Sequence, residues 1–256
     1  MHLIRLPLEG TTNTRDLGGY PCNNNKYTKW KKVLRSDCLS KLTQEDKKFL
    51  IDKYNLKKVI DLRSVDEINI AANAFSEDTR VEYVNISLAD DVDPNKVVDI
   101  NNISENFLRD FYINLIEDKM DNIKKVIQEI ADIGENDSVI FHCTAGKDRT
   151  GVIAMLLLGI CGVSKQDIAT NYMQTATNLK YNTHFTSGMK KLAEEYNKVL
   201  GEEVMKKMSS SNEENIEYTY DKLIDKYGSF KEFFLHLGIS ENEMNKIIDV
   251  LTEDMS

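Results

Sequence analysis

A short apolar strand, a polar loop and a long apolar segment follow one another directly between residues 138 and 163. Ser138-Val139-Ile140-Phe141 has the length and the β-branched and aromatic content of a buried strand, and Gly151 to Val163 is apolar over the length of a helix. The loop between them reads His142-Cys143-Thr144-Ala145-Gly146-Lys147-Asp148-Arg149-Thr150. In parallel α/β sheets, strand, loop and helix follow in this order and ligands lie at the carboxyl ends of strands. The pattern therefore predicts both a fold class and the position of a site.

The first half of the chain supports the same fold class. Short β-branched runs predict further strands at Lys32-Ser36, Val59-Arg63 and Val81-Ile86, with helical stretches between them. Thr43, followed three residues later by Asp46, predicts the first turn of a helix. Strands that alternate with helices indicate an α/β fold with a central, mainly parallel sheet flanked by helices.

Helices are predicted over most of the remaining chain. The apolar residues from Glu105 to Ile133 recur near a 3.6-residue period and predict one long helix, and every segment after Thr150 predicts additional C-terminal helices. The apolar stripe from Phe185 to Met208 is typical of a core helix, or of a cover over the site. Because no repeat or linker-like tract interrupts the chain, we expect a single domain over residues 1–256.

The composition restricts which ligands and which cellular compartment we expect for this chain. A net charge of −9 and a pI near 5.1 argue against nucleic acid as a ligand. The longest apolar run is too short to cross a bilayer and no signal peptide is evident, so we expect no transmembrane segment and a cytoplasmic protein. Four widely spaced cysteines fit a reducing compartment and indicate neither a disulfide scaffold nor a metal site. Nothing in the sequence indicates an oligomeric state.

Positive charge is concentrated at the start of the chain. The first 35 residues hold seven basic and two acidic side chains, a local balance of 7 − 2 = +5. This segment predicts either an electropositive approach to a site for anions or a solvated basic face. Lysines outnumber arginines 26 to 7, and four arginines lie in motif-like segments: Arg15, Arg35, Arg63 and Arg149.

The loop after the last strand has the chemistry of an anion site with a nucleophile. A cysteine between a strand end and a helix N-terminus faces backbone N–H groups and the helix dipole, which favour the thiolate. Gly146 permits a curl of consecutive amides that suits a tetrahedral oxyanion, and Arg149 can bind two phosphate oxygens with its fork. Thr150 is placed to donate its hydroxyl to the sulfur, and His142 to orient the loop. The predicted substrate-binding residues are Thr144, Ala145, Gly146, Lys147, Asp148 and Arg149.

The loop and four other motifs resemble a known family. His142 to Gly151 is similar to the signature loop of the cysteine-based protein tyrosine phosphatase superfamily, and its Lys-Asp pair resembles the bacterial branch that also acts on Ser/Thr phosphates and phosphoinositides. Further similar motifs are Asn13-Thr14-Arg15-Asp16-Leu17-Gly18-Gly19, Leu34-Arg35-Ser36-Asp37, Ile60-Asp61-Leu62-Arg63-Ser64 and, near the C-terminus, Tyr227-Gly228-Ser229-Phe230 with Leu237-Gly238.

The resemblance implies roles for individual residues. Cys143 would be the nucleophile, and Arg149 with the loop amides would stabilise the transition state, without a metal or cofactor. Asp148 is the general acid that this branch implies. The rivals for that role lie after the third predicted strand: Asp90, Asp91 and Asp93.

Several alternatives remain open at this stage. The supporting residues Arg15, Asp16 and Arg63 either fasten the N-terminal segment through ion pairs or contact the substrate. Lys147 is either a solvated loop lysine or a cation for a second phosphate. Phosphotyrosyl protein is the expected substrate, with phosphoinositides second. The rival functions are a catalytically idle module that binds phosphorylated partners and, more weakly, a sulfurtransferase.

Overall fold

The computed structural model describes residues 4–89, 107–180 and 211–254. In these residues the strands are β1 (Arg15–Asp16), β2 (Lys26–Thr28), β3 (Val33–Ser36), β4 (Leu56–Asp61), β5 (Glu82–Asn85), β6 (Ser138–His142) and β7 (Thr252–Asp254). The helices of the first two ranges are α1 (Gln44–Tyr54), α2 (Val65–Ile70), α3 (Phe107–Asp118), α4 (Met120–Ala131), α5 (Asp148–Ile160) and α6 (Lys165–Lys180). The last range adds α7 (Glu213–Tyr227), α8 (Phe230–His236) and α9 (Glu241–Leu251).

The central sheet has five strands in the order β1-β3-β6-β4-β5. Strands β3, β6, β4 and β5 pair in parallel, and the two-residue strand β1 adds to the edge in antiparallel orientation. The predicted α/β fold with a mainly parallel sheet flanked by helices is therefore confirmed. The register aligns the carboxyl ends of the parallel strands, because His142 lies opposite both Ser36 and Asp61, and Asp61 lies opposite Asn85.

Apolar side chains cover both faces of this sheet. In β6, Val139 and Phe141 join the larger core, whereas Ile140 between them points to the smaller core with Leu50 of α1. A strand whose residues are buried on both faces reads as a continuous apolar run, as β6 does in the sequence. Helix α5 is buried along most of its length, which holds the loop before it against the middle of the sheet.

Three of the described helices, α1, α2 and α9, begin with capping boxes. At α1, the Thr43 side chain accepts a hydrogen bond from the Asp46 N–H, and the Asp46 carboxylate accepts one from the Thr43 N–H, so the predicted helix start is confirmed. Helix α2 begins in the same way with Ser64 and Glu67. This second box places Glu67 just beyond the carboxyl end of β4.

Two predictions about the helices are wrong. The single helix expected from Glu105 to Ile133 is two helices in its described part, because Lys119 leaves helical geometry with φ −116° and ψ 24°. The segment after Thr150 is not helical throughout, since Thr252–Asp254 is a strand that pairs antiparallel with Lys26–Thr28. That pairing joins residues about 225 positions apart, a contact that local periodicity does not encode.

The apolar stripe predicted from Phe185 to Met208 lies outside the described residues. Among the helices that the structure describes, none combines the length and the apolar character needed to span a membrane.

Candidate active site

The loop from Cys143 to Lys147 connects the end of β6 to the N-terminus of α5. Cys143 is buried, with 2% of its surface exposed, and α5 begins at Asp148. Gly146 has φ +66°, and a Cβ on this residue would lie 2.4 Å from the carbonyl oxygen of Ser36. Only glycine meets both constraints, because the conformation is left-handed and the backbone of β3 lies in direct contact.

Side chains and backbone from the N-terminal motifs hold the loop from behind. The Asn13 amide donates to the carbonyl oxygens of Ala145 at 3.0 Å and Gly146 at 3.2 Å, and Arg35 Nη2 donates to the Gly146 carbonyl at 2.8 Å. The Cys38 N–H donates to the carbonyl of Thr144 at 3.0 Å. Engaging the carbonyl oxygens in this way is what a nest of anion-binding N–H groups requires. Asn13 is a supporting residue that the sequence reasoning missed.

Arg149 is held by Glu67, which the sequence reasoning also missed. Arg149 Nη1 donates to Glu67 Oε2 at 2.6 Å and Nη2 to Oε1 at 2.8 Å, and the Thr144 hydroxyl donates to the same carboxylate. Burial opposes ionisation of Glu67, but the hydrogen bonds from Arg149 lower its pKa to about 2. Burial likewise opposes the charge of Arg149, yet the bond to Glu67 raises the pKa of Arg149 above its ordinary value. The Ser-x-x-Glu pattern that caps α2 was the available sequence signal.

Replacing Glu67 with glutamine is expected to lower kcat/KM for an aryl phosphate about tenfold, because Arg149 keeps only one of its two fixed contacts. We also expect a loss of about 1 to 2 kcal/mol in the free energy of unfolding at pH 7. The pKa of Glu67 lies below its ordinary value of 4.5, so the ion pair stabilises the fold above about pH 4.5 and loses its contribution as the pH falls toward 2.

The measurement for Glu67→Gln is urea unfolding at several pH values, together with steady-state kinetics. Asp66→Asn on the same helix is the matched control, since Asp66 is exposed and lies next to Glu67 in the sequence. A destabilisation that stays constant from pH 7 to pH 3 would show that the ion pair is not its source.

Asp148 lies in the first turn of α5 and is held by two donors. Tyr112 Oη of α3 donates to Asp148 Oδ1 at 2.5 Å, and the Lys147 ammonium lies 2.7 Å from the same oxygen. Lys147 is buried, so the first of the two alternatives, a solvated loop lysine, is not observed. Burial alone would lower the pKa of Lys147, but the Asp148 charge raises it.

His142 belongs to a buried polar cluster beneath the loop. Its Nδ1 lies 2.9 Å from the Cys143 carbonyl oxygen, and its Nε2 lies 2.7 Å from the Asn73 side-chain nitrogen. Asn73 Oδ1 accepts from the Phe75 N–H, which fixes the amide so that its nitrogen faces the ring. The same Nε2 also lies 3.3 Å from Asp61 Oδ2, so an amide and a buried carboxylate both flank this nitrogen. The contact of Nδ1 with the Cys143 carbonyl joins the ring to the loop, and the role of His142 in orienting the loop stays a prediction.

Arg63 forms an ion pair with Asp61 at the end of β4 and not with the N-terminal segment. Its Nε and Nη2 donate to the two carboxylate oxygens of Asp61 at 2.9 and 2.7 Å, and both side chains are buried. Its Nη1 donates to the carbonyl of Ala71 and contacts the Cys38 sulfur at 3.1 Å. Cys38 is therefore a contact of the site's supporting cluster as well as a small filler.

Arg15 and Asp16 differ from the expected ion pairs. Arg15 donates to Asn13, to the Asn171 carbonyl and to Thr175, and no carboxylate within the described residues forms an ion pair with it. Asp16 accepts from the N–H groups of Gly18 and Lys31, and burial raises its pKa to about 7. Hydrogen bonds to uncharged partners, rather than ion pairs, fasten the N-terminal segment.

Two buried guanidinium groups therefore lie behind the loop. Arg35 donates to Asn171 Oδ1 at 2.6 Å, in addition to its bond to Gly146. Burial lowers the pKa of Arg35 to about 10, and burial followed by the charge of Arg35 lowers that of Arg15. Their positive potential favours an anion on the other side of the loop.

The remaining predicted residues have separate outcomes. The Thr150 hydroxyl is buried and makes no hydrogen bond within the described part of the chain, so its role toward the sulfur stays a prediction. Asp90, Asp91 and Asp93 lie outside the described residues. In the described ranges, no group of three or more His, Cys, Asp or Glu side chains has the geometry to hold a metal ion.

A cavity of about 340 Å³ opens beside Asp148 and Arg149. Its wall on α3 presents the ring of Phe111 and the side chains of Asn114, Leu115 and Asp118, followed by Lys119. The other described residues that line this cavity are Glu67, Leu88 and Ala89. Local sequence patterns do not indicate that α3 lies at the site, because tertiary packing sets the distance between α3 and the loop.

Fold and site together define an α/β protein with a buried cysteine at the carboxyl end of its central strand and an arginine at the start of the helix that follows. The chain belongs to the tyrosine phosphatase family, whose sequence model matches residues 6–253. A tyrosine-protein phosphatase from Nostoc commune is 34% identical over 165 residues, which cover 63% of this chain and 52% of the relative. The chain thus spans about half the length of that curated relative.

Two solved structures are similar at a greater distance. One is P. aeruginosa TpbA in complex with pTyr, at 13% identity and a TM-score of 0.34, covering 66% of this chain and 80% of TpbA. The other is the core catalytic domain of the PP-IP phosphatase SIW14 from S. cerevisiae, at 16% identity and a TM-score of 0.37, covering 76% and 97%. At these TM-scores, neither structure bears on the mechanism.

Proposed function

We propose that this chain, as one catalytic domain, hydrolyses phosphate monoesters through a phosphocysteine intermediate, with phosphotyrosine as its preferred substrate. The observation that carries the proposal is that one short segment holds a buried cysteine at the strand end, Cys143, and an arginine six residues later, Arg149. Two hydrogen bonds to Glu67 hold the guanidinium of Arg149 in place. Membership of the tyrosine phosphatase family supports the same activity.

In the first step, the Cys143 thiolate attacks phosphorus and the bond from phosphorus to the ester oxygen breaks. Asp148 gives a proton to the leaving oxygen. The loop N–H groups and Arg149 bind the equatorial oxygens, where charge accumulates in the transition state. Glu67 occupies the Nη1–Nη2 edge of the guanidinium, so the edge formed by Nε and Nη2 is the one that faces phosphate.

In the second step, water attacks the phosphocysteine and the bond from sulfur to phosphorus breaks. Asp148, now ionised, takes the proton from water, and Cys143 leaves as a thiolate. The Thr150 hydroxyl, buried and without a hydrogen bond among the described residues, is the donor proposed to stabilise that leaving sulfur. Inorganic phosphate is the product, and no cofactor takes part.

The cavity favours a substrate with one phosphate and an aromatic ring. Among the described residues, its charged lining consists of Glu67, Asp118 and Asp148 against Lys119 and Arg149, an excess of negative charge that disfavours a ligand with several phosphates. Lys147, the cation considered for a second phosphate, is buried against Asp148. The apolar wall of α3 suits a phenyl ring better than an inositol ring. Phosphoinositides therefore rank second.

A catalytically idle phosphate-binding module is the rival function. That function would require the chemistry to be incomplete, whereas the residues proposed as nucleophile, acid and guanidinium fork all lie between Cys143 and Arg149. Turnover is therefore the proposed activity, and binding of phosphorylated partners is a step within it.

The test is a panel of substrates combined with trapping of the intermediate. We expect kcat/KM for phosphotyrosyl peptides to exceed that for phosphoseryl peptides and inositol phospholipids by about tenfold or more. Rapid acid quenching during turnover, followed by peptide mass spectrometry, should find the phosphoryl group on Cys143. Faster phosphate release from inositol lipids would transfer the proposal to that class, and tight binding of phosphopeptides without release would favour the idle module.

A further inference from the structure

Two buried tyrosines connect α3 and α6 to the loop. The side chains of Tyr112 and Tyr172 are 0% and 1% exposed, and their hydroxyl oxygens lie 2.6 Å apart. Tyr112 Oη also lies 2.5 Å from Asp148 Oδ1. A buried hydroxyl is costly unless it is hydrogen-bonded, and here each hydroxyl finds its partner in a chain that ends at Asp148.

The direction of these hydrogen bonds follows from the number of protons. An ionised carboxylate only accepts, so Tyr112 gives its single hydroxyl proton to Asp148, and Tyr172 must donate to Tyr112. Burial and the charge of Asp148 raise the pKa of Tyr112 well above its ordinary value, and burial raises that of Tyr172. Both shifts favour the protonated phenols, so both tyrosines are donors near neutral pH.

Both donors bind the same carboxylate oxygen. The Tyr112 hydroxyl lies 2.5 Å and the Lys147 ammonium 2.7 Å from Asp148 Oδ1. Among the described residues, none forms a hydrogen bond with Asp148 Oδ2. Asp148 also lines the cavity beside Arg149. An oxygen that already accepts two hydrogen bonds is a poor site for a proton, so the proton goes to the other oxygen.

We propose that Tyr112, supported by Tyr172, is a positioning residue that holds Asp148 through Oδ1, so that the proton transferred to the leaving group is carried on Oδ2. The inference rests on the proposed function, since it assigns a geometry to the proposed acid. It predicts that the tyrosine matters for poor leaving groups, which need protonation, and not for good ones.

Tyr112→Phe removes the hydroxyl and keeps the ring. We expect kcat/KM for an alkyl phosphate to fall about tenfold and kcat/KM for an aryl phosphate with a good leaving group to change less than about twofold. The basic limb of the kcat/KM profile for the alkyl phosphate should move to higher pH, because the lost hydroxyl donated to the ionised carboxylate. Tyr172→Phe should shift the limb in the same direction by a smaller amount.

Two comparisons separate positioning from a structural effect. Tyr54→Phe is the matched control, because Tyr54 is buried at the end of α1, next to the amino end of β4 and away from the loop; its profile should equal that of the unmodified protein. In an Asp148→Asn background, Tyr112→Phe should have no further effect on the alkyl phosphate. Thermal unfolding checks that each variant is folded.

The outcomes distinguish the two proposals. If Asp148→Asn lowers alkyl phosphate turnover but Tyr112→Phe does not, or if Tyr112→Phe affects both substrates equally, the tyrosine proposal is overturned while the acid assignment stands. If Asp148→Asn has no effect and Asp91→Asn removes the activity, the acid assignment fails and the tyrosine proposal fails with it.

Discussion

Serine in place of Cys143 is expected to lower kcat/KM for an aryl phosphate by at least about 10⁴-fold, the scale seen when an enzyme loses its nucleophile. The serine hydroxyl stays protonated near neutral pH, so it is a much weaker nucleophile than the thiolate that it replaces. Binding of phosphate should persist, because the Glu67–Arg149 pair and the contacts that hold the loop carbonyls do not involve the sulfur.

The measurement is steady-state turnover, with vanadate or phosphate affinity determined on the same sample by calorimetry. Cys22→Ser is the matched control, since Cys22 is a partly exposed thiol outside the loop and its replacement should leave turnover unchanged. Cys143→Ser with more than about a tenth of the original activity would exclude a phosphocysteine mechanism.

Arg149→Lys is expected to lower kcat/KM about 10³-fold, although the positive charge is kept. Lysine offers one ammonium group, so it cannot bind both oxygens of Glu67 and also present two donors to phosphate. The larger part of the loss should appear in kcat, because the guanidinium fork fits the equatorial oxygens of the transition state more closely than those of the substrate.

Arg80→Lys is the matched control for this variant. Arg80 also binds one carboxylate with two nitrogens, at 2.8 and 2.7 Å from Asp78, but it is exposed. Its replacement should leave kinetics unchanged. Equal turnover by Arg149→Lys and the unmodified protein would show that charge alone suffices and that the fork has no catalytic role.

Local signals in the sequence were sufficient for the framework of the site. The strand Ser138–His142 has the predicted bounds, and the helix after Thr43 begins at the predicted cap. A continuous apolar run and a side chain that bonds to a backbone three residues away are both encoded within a few positions. The same is true of Gly146, whose conformation the loop requires.

Contacts between residues that are distant in the sequence depend on tertiary packing alone. Glu67 could be placed on a helix from its capping pattern, but its contact with Arg149 depends on β4 lying beside β6. Tyr112 is one aromatic residue among several in its helix until α3 docks against α5 and brings its hydroxyl to Asp148.

The sequence by itself therefore determined the fold class, the strand that carries the cysteine and the residues of the loop, since each depends on neighbours along the chain. Only the tertiary structure decided which carboxylate locks Arg149, which hydroxyls hold Asp148 and that Arg15 is buried without an ion pair among the described residues. The physical reason is that these contacts join segments 36 to 156 positions apart, whose approach is set by burial of apolar surface rather than by local pattern.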